Sequence, residues 1–321
     1  MTEVDVIAAS NAADRGLRAL ADLAAAARGS NYRVIGGHMV HLLARVYPAS
    51  EAVARVTADA DAGMDTVAAA DTGLHDALVE RGYRRVAGNH YEAPSGEGEP
   101  LAVDLLVPGT GGRGIERVEY AGRGFDAIPG LNLALASEPV EVRVRAQLTT
   151  GRGLRFEVPI PDVEQAVVLK ALSWRSRLAA KDVTDLCTLL VSAHEHREQL
   201  PGWRLDTPLR GSRGDAAGAL YELAAMIDRR RQVEGLTISA ERLSALIRTH
   251  VADPAARRRA VTKTAPQPSP AVGAHDALLS ALAAAAGAHP RRHEAPGSGA
   301  SSPAGDPSSG PDTDTGPELE L

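Results

Sequence analysis

The chain has 321 residues, enough for one large domain or two medium ones. Hydrophobic residues make up 44% and aromatic residues only 3%, so a sizeable core has to be built mostly from Ala, Val and Leu. A formal net charge of -6 argues against a dedicated nucleic-acid coat protein, while arginine clusters at Arg229-Arg230-Arg231 and Arg257-Arg258-Arg259 still permit local RNA contact.

Cys187 is the single cysteine, so no intrachain disulfide can form and a reducing, cytoplasmic compartment fits. The start, Met1-Thr2-Glu3-Val4-Asp5, carries acid and no basic region and does not read as a signal peptide. No uncharged run of about 18 apolar residues is present, so no membrane partner is expected.

In chain order, Leu17, Leu20 and Leu23 give residues 10–28 helical spacing, stopping near Gly29. A short apolar strand is expected at 32–35, then Gly36-Gly37, then a helix over 38–46. Val53 to Asp61 reads as a strand and Asp71 to Arg81 as a helix stopped by Gly82. Short strands are expected at 84–86 and 89–92. The apolar run Leu101 to Val107 predicts a buried strand. Residues 117–158 are β-rich, with alternation over Val140 to Gln147 marking an edge-like or half-buried strand. Helices are expected at 162–178, 181–193, 215–231 and 239–252.

This order predicts an α+β fold: a mixed sheet with flanking helices, then a helical C-terminal subdomain. The expected divisions are a core with its N-terminal helix over 1–160, a helical subdomain over 161–261, and a disordered Pro/Gly/Ser-rich tail over 262–321. The tail has no aromatic residue and too little apolar area to offset chain entropy.

Asp59 and Asp61 are the first candidates for chemistry. At i and i+2 of a strand, two side chains face one way with stems about 6.7 Å apart. That spacing suits one hard cation, or a metal pair. Asp104 stands alone inside the apolar run Leu101 to Val107, where a carboxylate is costly unless paired or metal-bound. It can join the same cation or take a proton from a hydroxyl. Arg55 and Thr57 share the expected strand face with both acids. Gly36 and Gly37 precede a helix, where backbone N–H groups can meet phosphate. His38 and His41 read as core or surface histidines, His38 being a minor extra candidate. Lys170 ends an apolar helical stretch and can meet phosphate as a point charge. Asp182 and Asp185 share a helix face and can hold Lys170 or Arg177 in place. Together these residues suggest a site for a nucleoside triphosphate with magnesium.

The motifs Ile35-Gly36-Gly37, Arg55-X-Thr57-X-Asp59-X-Asp61, Val103-Asp104-Leu105-Leu106, and Lys170 with Lys181-Asp182-Val183-Thr184-Asp185-Leu186 occur in that order. In this order they resemble the nucleotidyltransferase-fold toxins of the AbiEii and MenT type, over residues 30–195. The resemblance implies a nucleotidyltransferase-like sheet and metal-dependent transfer of a nucleotide from a nucleoside triphosphate to an acceptor hydroxyl. The implied acceptor is tRNA, and the implied setting is a toxin or defence protein with a cognate antitoxin. It assigns Asp59 and Asp61 as metal ligands, Asp104 as the third strand acid, and Lys170 as the triphosphate contact. Asp182 and Asp185 form the later acidic motif, with Asp185 counted among the catalytic residues. The sequence departs from the family in having His38 and Met39 after the glycine pair and no serine after the first glycine. Two other readings stay open: transfer to a protein hydroxyl, and a non-catalytic binding module on the same fold.

Overall fold

Thr2–Ile7, for which no element was expected, is a strand (β1) in the computed structural model: Val4 and Val6 are buried and alternate with exposed Glu3, Asp5 and Ile7. The structure describes residues 1–96, 98–109 and 114–255. The expected tail and the Arg257-Arg258-Arg259 cluster lie outside the described residues.

Helix α1 (Asn11–Ala26) starts where the Ser10 side chain accepts from the Ala13 N–H, and it buries Leu17, Leu20 and Leu23. Strand β2 (Tyr32–Val34) leads straight into helix α2 (Gly36–Val46). The expected strand at Val53–Asp61 is corrected. Residues 53–58 are irregular, and strand β3 is Asp59–Met64. The ladder with β6 begins at Asp59, paired with Ala102 near the start of that strand. Side-chain and carbonyl contacts hold the irregular stretch instead: the Val53 carbonyl accepts from Thr188 and Arg55 pairs with Asp185. The expected helix over 71–81 is present as α4 (Gly73–Glu80), and a short helix that was not expected, α3 (Thr66–Ala70), capped by Asp65, precedes it.

Strands β4 (Arg84–Ala87) and β5 (His90–Ala93) form a hairpin, followed by β6 (Leu101–Pro108). In β6, Leu101, Val103, Leu105 and Val107 are buried and alternate with half-buried Ala102, Asp104 and Leu106. Next come β7 (Glu116–Tyr120), β8 (Arg123–Ile128), α5 (Leu131–Leu135), β9 (Val140–Gln147) and β10 (Gly153–Ile160).

The larger sheet runs β2-β3-β6-β5-β4, with β8 joining β6 beyond the end of β5 and β7 pairing with β8. It is mixed: β6 is parallel to β3 and β8 and antiparallel to β5. A second sheet, β1-β9-β10, places β9 at its centre with β1 parallel to it. The expected half-buried alternation of β9 holds, but β9 is not an edge strand.

Helices α6 (Val163–Arg177), α7 (Ala180–Glu195), α8 (Gly211–Asp228) and α9 (Ala240–His250) complete the described chain. Asp162 and Gln165 form a reciprocal capping box at the start of α6. Leu178, in the left-handed conformation at φ 51, ends that helix and turns the chain sharply into α7. Helix α7 packs on α2, so the helical part is built directly onto the sheet layer. All described residues fall within one compact unit. The architecture is therefore mixed α+β, with mixed sheets and flanking helices. Among the described residues no helix is long and apolar enough to cross a membrane.

Candidate metal and nucleotide site

Parallel pairing of β3 with β6 sets Asp61 opposite Asp104, and register partners project from the same face of a sheet. Asp59, two residues before Asp61, shares that face. One carboxylate oxygen from each of Asp59, Asp61 and Asp104 lies within 4.8 Å of the others. Three acids so placed repel one another. Burial, then the charges of Asp59 and Asp104, push the Asp61 carboxyl up to about 7, against a partial opposing pull from Lys170 and Lys181. Asp104 is also raised above the usual carboxylate range, chiefly by burial. An all-oxygen donor set with unrelieved like charge fits a hard divalent cation.

The flanking residues hold these acids in place. Gly36 has φ +68, and a Cβ built there would lie 1.8 Å from Asp61 Oδ2. The glycine is thus required twice, by its backbone conformation and by the carboxylate against it. Gly37 is similarly crowded, by Arg55 and Thr57. The buried Thr57 hydroxyl donates to Asp59 Oδ1 at 3.0 Å. Thr57 and Arg55 lie outside the strand, so the expected period-two alignment with the acids is corrected; both reach the site from the irregular segment before β3. His38 is a core histidine. Burial first, and the neighbouring His41 second, lower its pKa to about 4 and keep it neutral.

A cationic wall faces the acids from α6 and α7. Lys170 is buried, with Nζ 2.6 Å from Asp185 Oδ2 and 3.7 Å from Asp182 Oδ1. Arg55 donates to both Asp185 oxygens at 3.0 and 3.2 Å, and Arg177 to both Asp182 oxygens at 2.7 Å. Asp182 and Asp185 are almost wholly enclosed and fully engaged. They hold Lys170 and Arg177 in place, as expected from their shared helix face, and Asp185 also holds Arg55. Lys181 is exposed at the start of α7 and acts on the Asp61 carboxyl through its charge.

His90 was not among the expected site residues. It is the antiparallel register partner of Asp104, and its Nδ1 lies 2.8 Å from Asp104 Oδ1. Its Nε2 lies 3.2 Å from Glu92 Oε1. Burial disfavours the charged ring, but the bonds to Asp104 and Glu92 outweigh it and raise the His90 pKa above the usual histidine value. His90 and Glu92 stand at i and i+2, a signal too common to single out before the register of β5 on β6 is known. Asp61, Asp104 and His90 thus form one row across three neighbouring strands.

No known protein family matches the sequence, and no curated protein does. Among solved structures, the chain is similar to one described as "Crystal structure of JHP933 from Helicobacter pylori". The two are 12% identical over 86% of this chain and 100% of the other, with a TM-score of 0.38. That likeness is too low to carry an argument about fold or function.

Proposed function

We propose that the protein is a metal-dependent nucleotidyltransferase with a nucleotidyltransferase-like fold. It moves a nucleotide from a nucleoside triphosphate to an acceptor hydroxyl, that of a tRNA, and acts as a toxin or defence protein checked by a cognate antitoxin. The observation that carries this reading is the placement of three carboxylates on adjacent parallel strands, with the Gly36 turn against one of them and the Lys170 wall alongside. Magnesium held by Asp59, Asp61 and Asp104 would supply charge neutralisation of the phosphates and of the developing oxyanion.

The residues of the chain do the rest. Lys170 and Lys181 draw the triphosphate to the α6–α7 side, and Arg177 adds charge from the same side. The turn at Gly36 and Gly37 lets the backbone approach the phosphates. Asp104 orients the acceptor hydroxyl and takes its proton as the oxygen bonds to the α-phosphorus. The bond from the α-phosphorus to the bridging oxygen breaks, and pyrophosphate leaves with the electron pair. Positioning and electrostatics supply most of the acceleration.

The test is transfer of labelled nucleotide to tRNA, with lysate protein as a parallel acceptor. Asp59→Ala and Asp61→Ala are expected to lower transfer by about 100-fold or more. Transfer at the unmodified rate by either variant would overturn the assignment. Label entering protein instead of tRNA would replace the acceptor class while leaving the chemistry in place.

A further inference from the structure

The acid cluster is asymmetric. On the β3 side stands the cationic wall of Lys170, Arg177 and Lys181. On the other side of Asp104, between β5 and β8, lies a cavity of about 340 Å³. Its walls include Asn89, His90, Asp104, Phe125, Asp126 and Arg117, and it lies at the lower end of the size range of small-molecule sites, roughly 300 Å³ and upward. Gly88 and Gly124 meet in its wall, where neither contributes a side chain to fill it. Asp104 is the one member of the acid cluster that lines it.

In-line displacement at phosphorus places the attacking and leaving oxygens on opposite sides of the reacting atom. If pyrophosphate leaves toward the cations of α6 and α7, the attacking hydroxyl arrives from the opposite side. That side is the cavity, and its boundary with the acid cluster is Asp104. The cavity's chemistry suits a ribose and a base edge: the carboxylates of Asp104 and Asp126 accept from hydroxyls, and the Asn89 amide both donates and accepts. Cations lie at its margin. Arg117 is 95% exposed and only loosely placed against Asp126, at 3.9 Å. Farther along the same face, outside the cavity, Arg84 stands opposite Glu92 on the edge strand β4, is exposed, and has no ion pair among the described residues. Exposed, weakly paired arginines beside a pocket of hydroxyl acceptors match the alternating phosphate and sugar of an RNA strand.

We infer that this cavity is the acceptor site, seating the terminal nucleotide of an RNA whose backbone crosses Arg117 and Arg84. The inference rests on the nucleotide-transfer reading and extends it to a second substrate site.

The experiment uses the full chain, magnesium, labelled nucleoside triphosphate and unfractionated bacterial tRNA. Gly124→Leu fills the cavity from a strand position with no positive φ, and Arg117→Glu reverses a marginal charge without touching the core. Both are expected to raise the KM for tRNA by about tenfold or more, while the dissociation constant for the triphosphate, measured without acceptor, stays within about twofold. Direct tRNA binding, measured without triphosphate, is expected to weaken in parallel and to show a shallower salt dependence in Arg117→Glu. An unchanged KM in the folded Arg117→Glu protein together with unchanged tRNA binding overturns the inference, even if Gly124→Leu fails to fold. A weakened triphosphate with unchanged tRNA binding also overturns it, because the cavity would then hold the donor. Label on protein alone, with no tRNA binding, overturns the RNA occupant. Absence of transfer by the unmodified protein, with tRNA binding still lost in the variants, removes the transfer chemistry and leaves the RNA site standing.

Discussion

Gly36 and Asp61 occupy interlocking space: a methyl group on Gly36 would fall inside the contact distance of the Asp61 carboxylate, 1.8 Å from Oδ2. Gly36→Ala therefore incurs left-handed backbone strain of about 1–2 kcal/mol and also displaces the acid. We expect a clear drop in melting temperature and loss of nucleotide transfer. The double variant Gly36→Ala/Asp61→Ala keeps the strain but removes the clash. Its stability should exceed the sum of the two single effects, as read by a double-mutant cycle. Additive effects would show that the two residues do not compete for that space.

The pH dependence of stability should follow Asp61. Its folded pKa, about 7, lies above the unfolded value near 3.9. Between those values the folded state binds more protons than the unfolded state, so stability falls as pH rises from about 4 to about 7. A divalent cation requires the ionised carboxylate, so stabilisation by magnesium should grow over the same window. Asp61→Asn should flatten the metal-free profile and abolish the magnesium effect, as followed by thermal melts. A metal-free profile that rises through this window would remove Asp61 as its source.

Lys170 is the centre of a buried charge cluster. Lys170→Met leaves Asp185 with Arg55 and Asp182 with Arg177, so neither acid is stranded. Breaking a buried pair typically costs about 3–5 kcal/mol, and the remaining arginines place this variant at or below the low end. Lys170→Arg should be poorly tolerated as well, because a planar fork does not fit the enclosed space of a point charge. Urea unfolding measures both. Full stability in Lys170→Met with transfer lost would make the lysine purely functional.

Much of this site was legible before folding because its residues break local rules. Asp104 inside an apolar run and two acids at i and i+2 stand out against strand patterning. The helices at 163–177 and 180–195 followed from apolar periodicity and clear ends. The rest depended on long-range pairing. Arg55 looked like a strand residue because Val53 to Asp61 alternates, but the β6 ladder runs out at Asp59, and a carboxylate 130 residues away decides its place. Asp182 and Asp185 on one helix face pointed to Lys170 and Arg177, but not to Arg55, which reaches Asp185 from the irregular segment before β3. Strand β1 is short, half polar, and stabilised by a partner 140 residues distant. His90 gains meaning only from its register opposite Asp104.

That register makes His90 a lever on metal affinity. With Nδ1 on Asp104 Oδ1 and Nε2 on Glu92, the ring fixes the plane of the Asp104 carboxylate and leaves its other oxygen for a cation. Partners that orient a metal-binding group commonly contribute about 10- to 100-fold in affinity or activity. His90→Ala is expected to weaken binding of manganese, as a magnesium probe, by about tenfold while the fold persists, because the ring is one-third exposed. Glu92→Gln should do the same more weakly, since it acts only through the ring. Titration calorimetry with manganese checks both variants. Unchanged affinity in His90→Ala would mean that Asp104 holds its orientation from the strand alone, and that the hydrogen bond is a consequence of the site and not one of its supports.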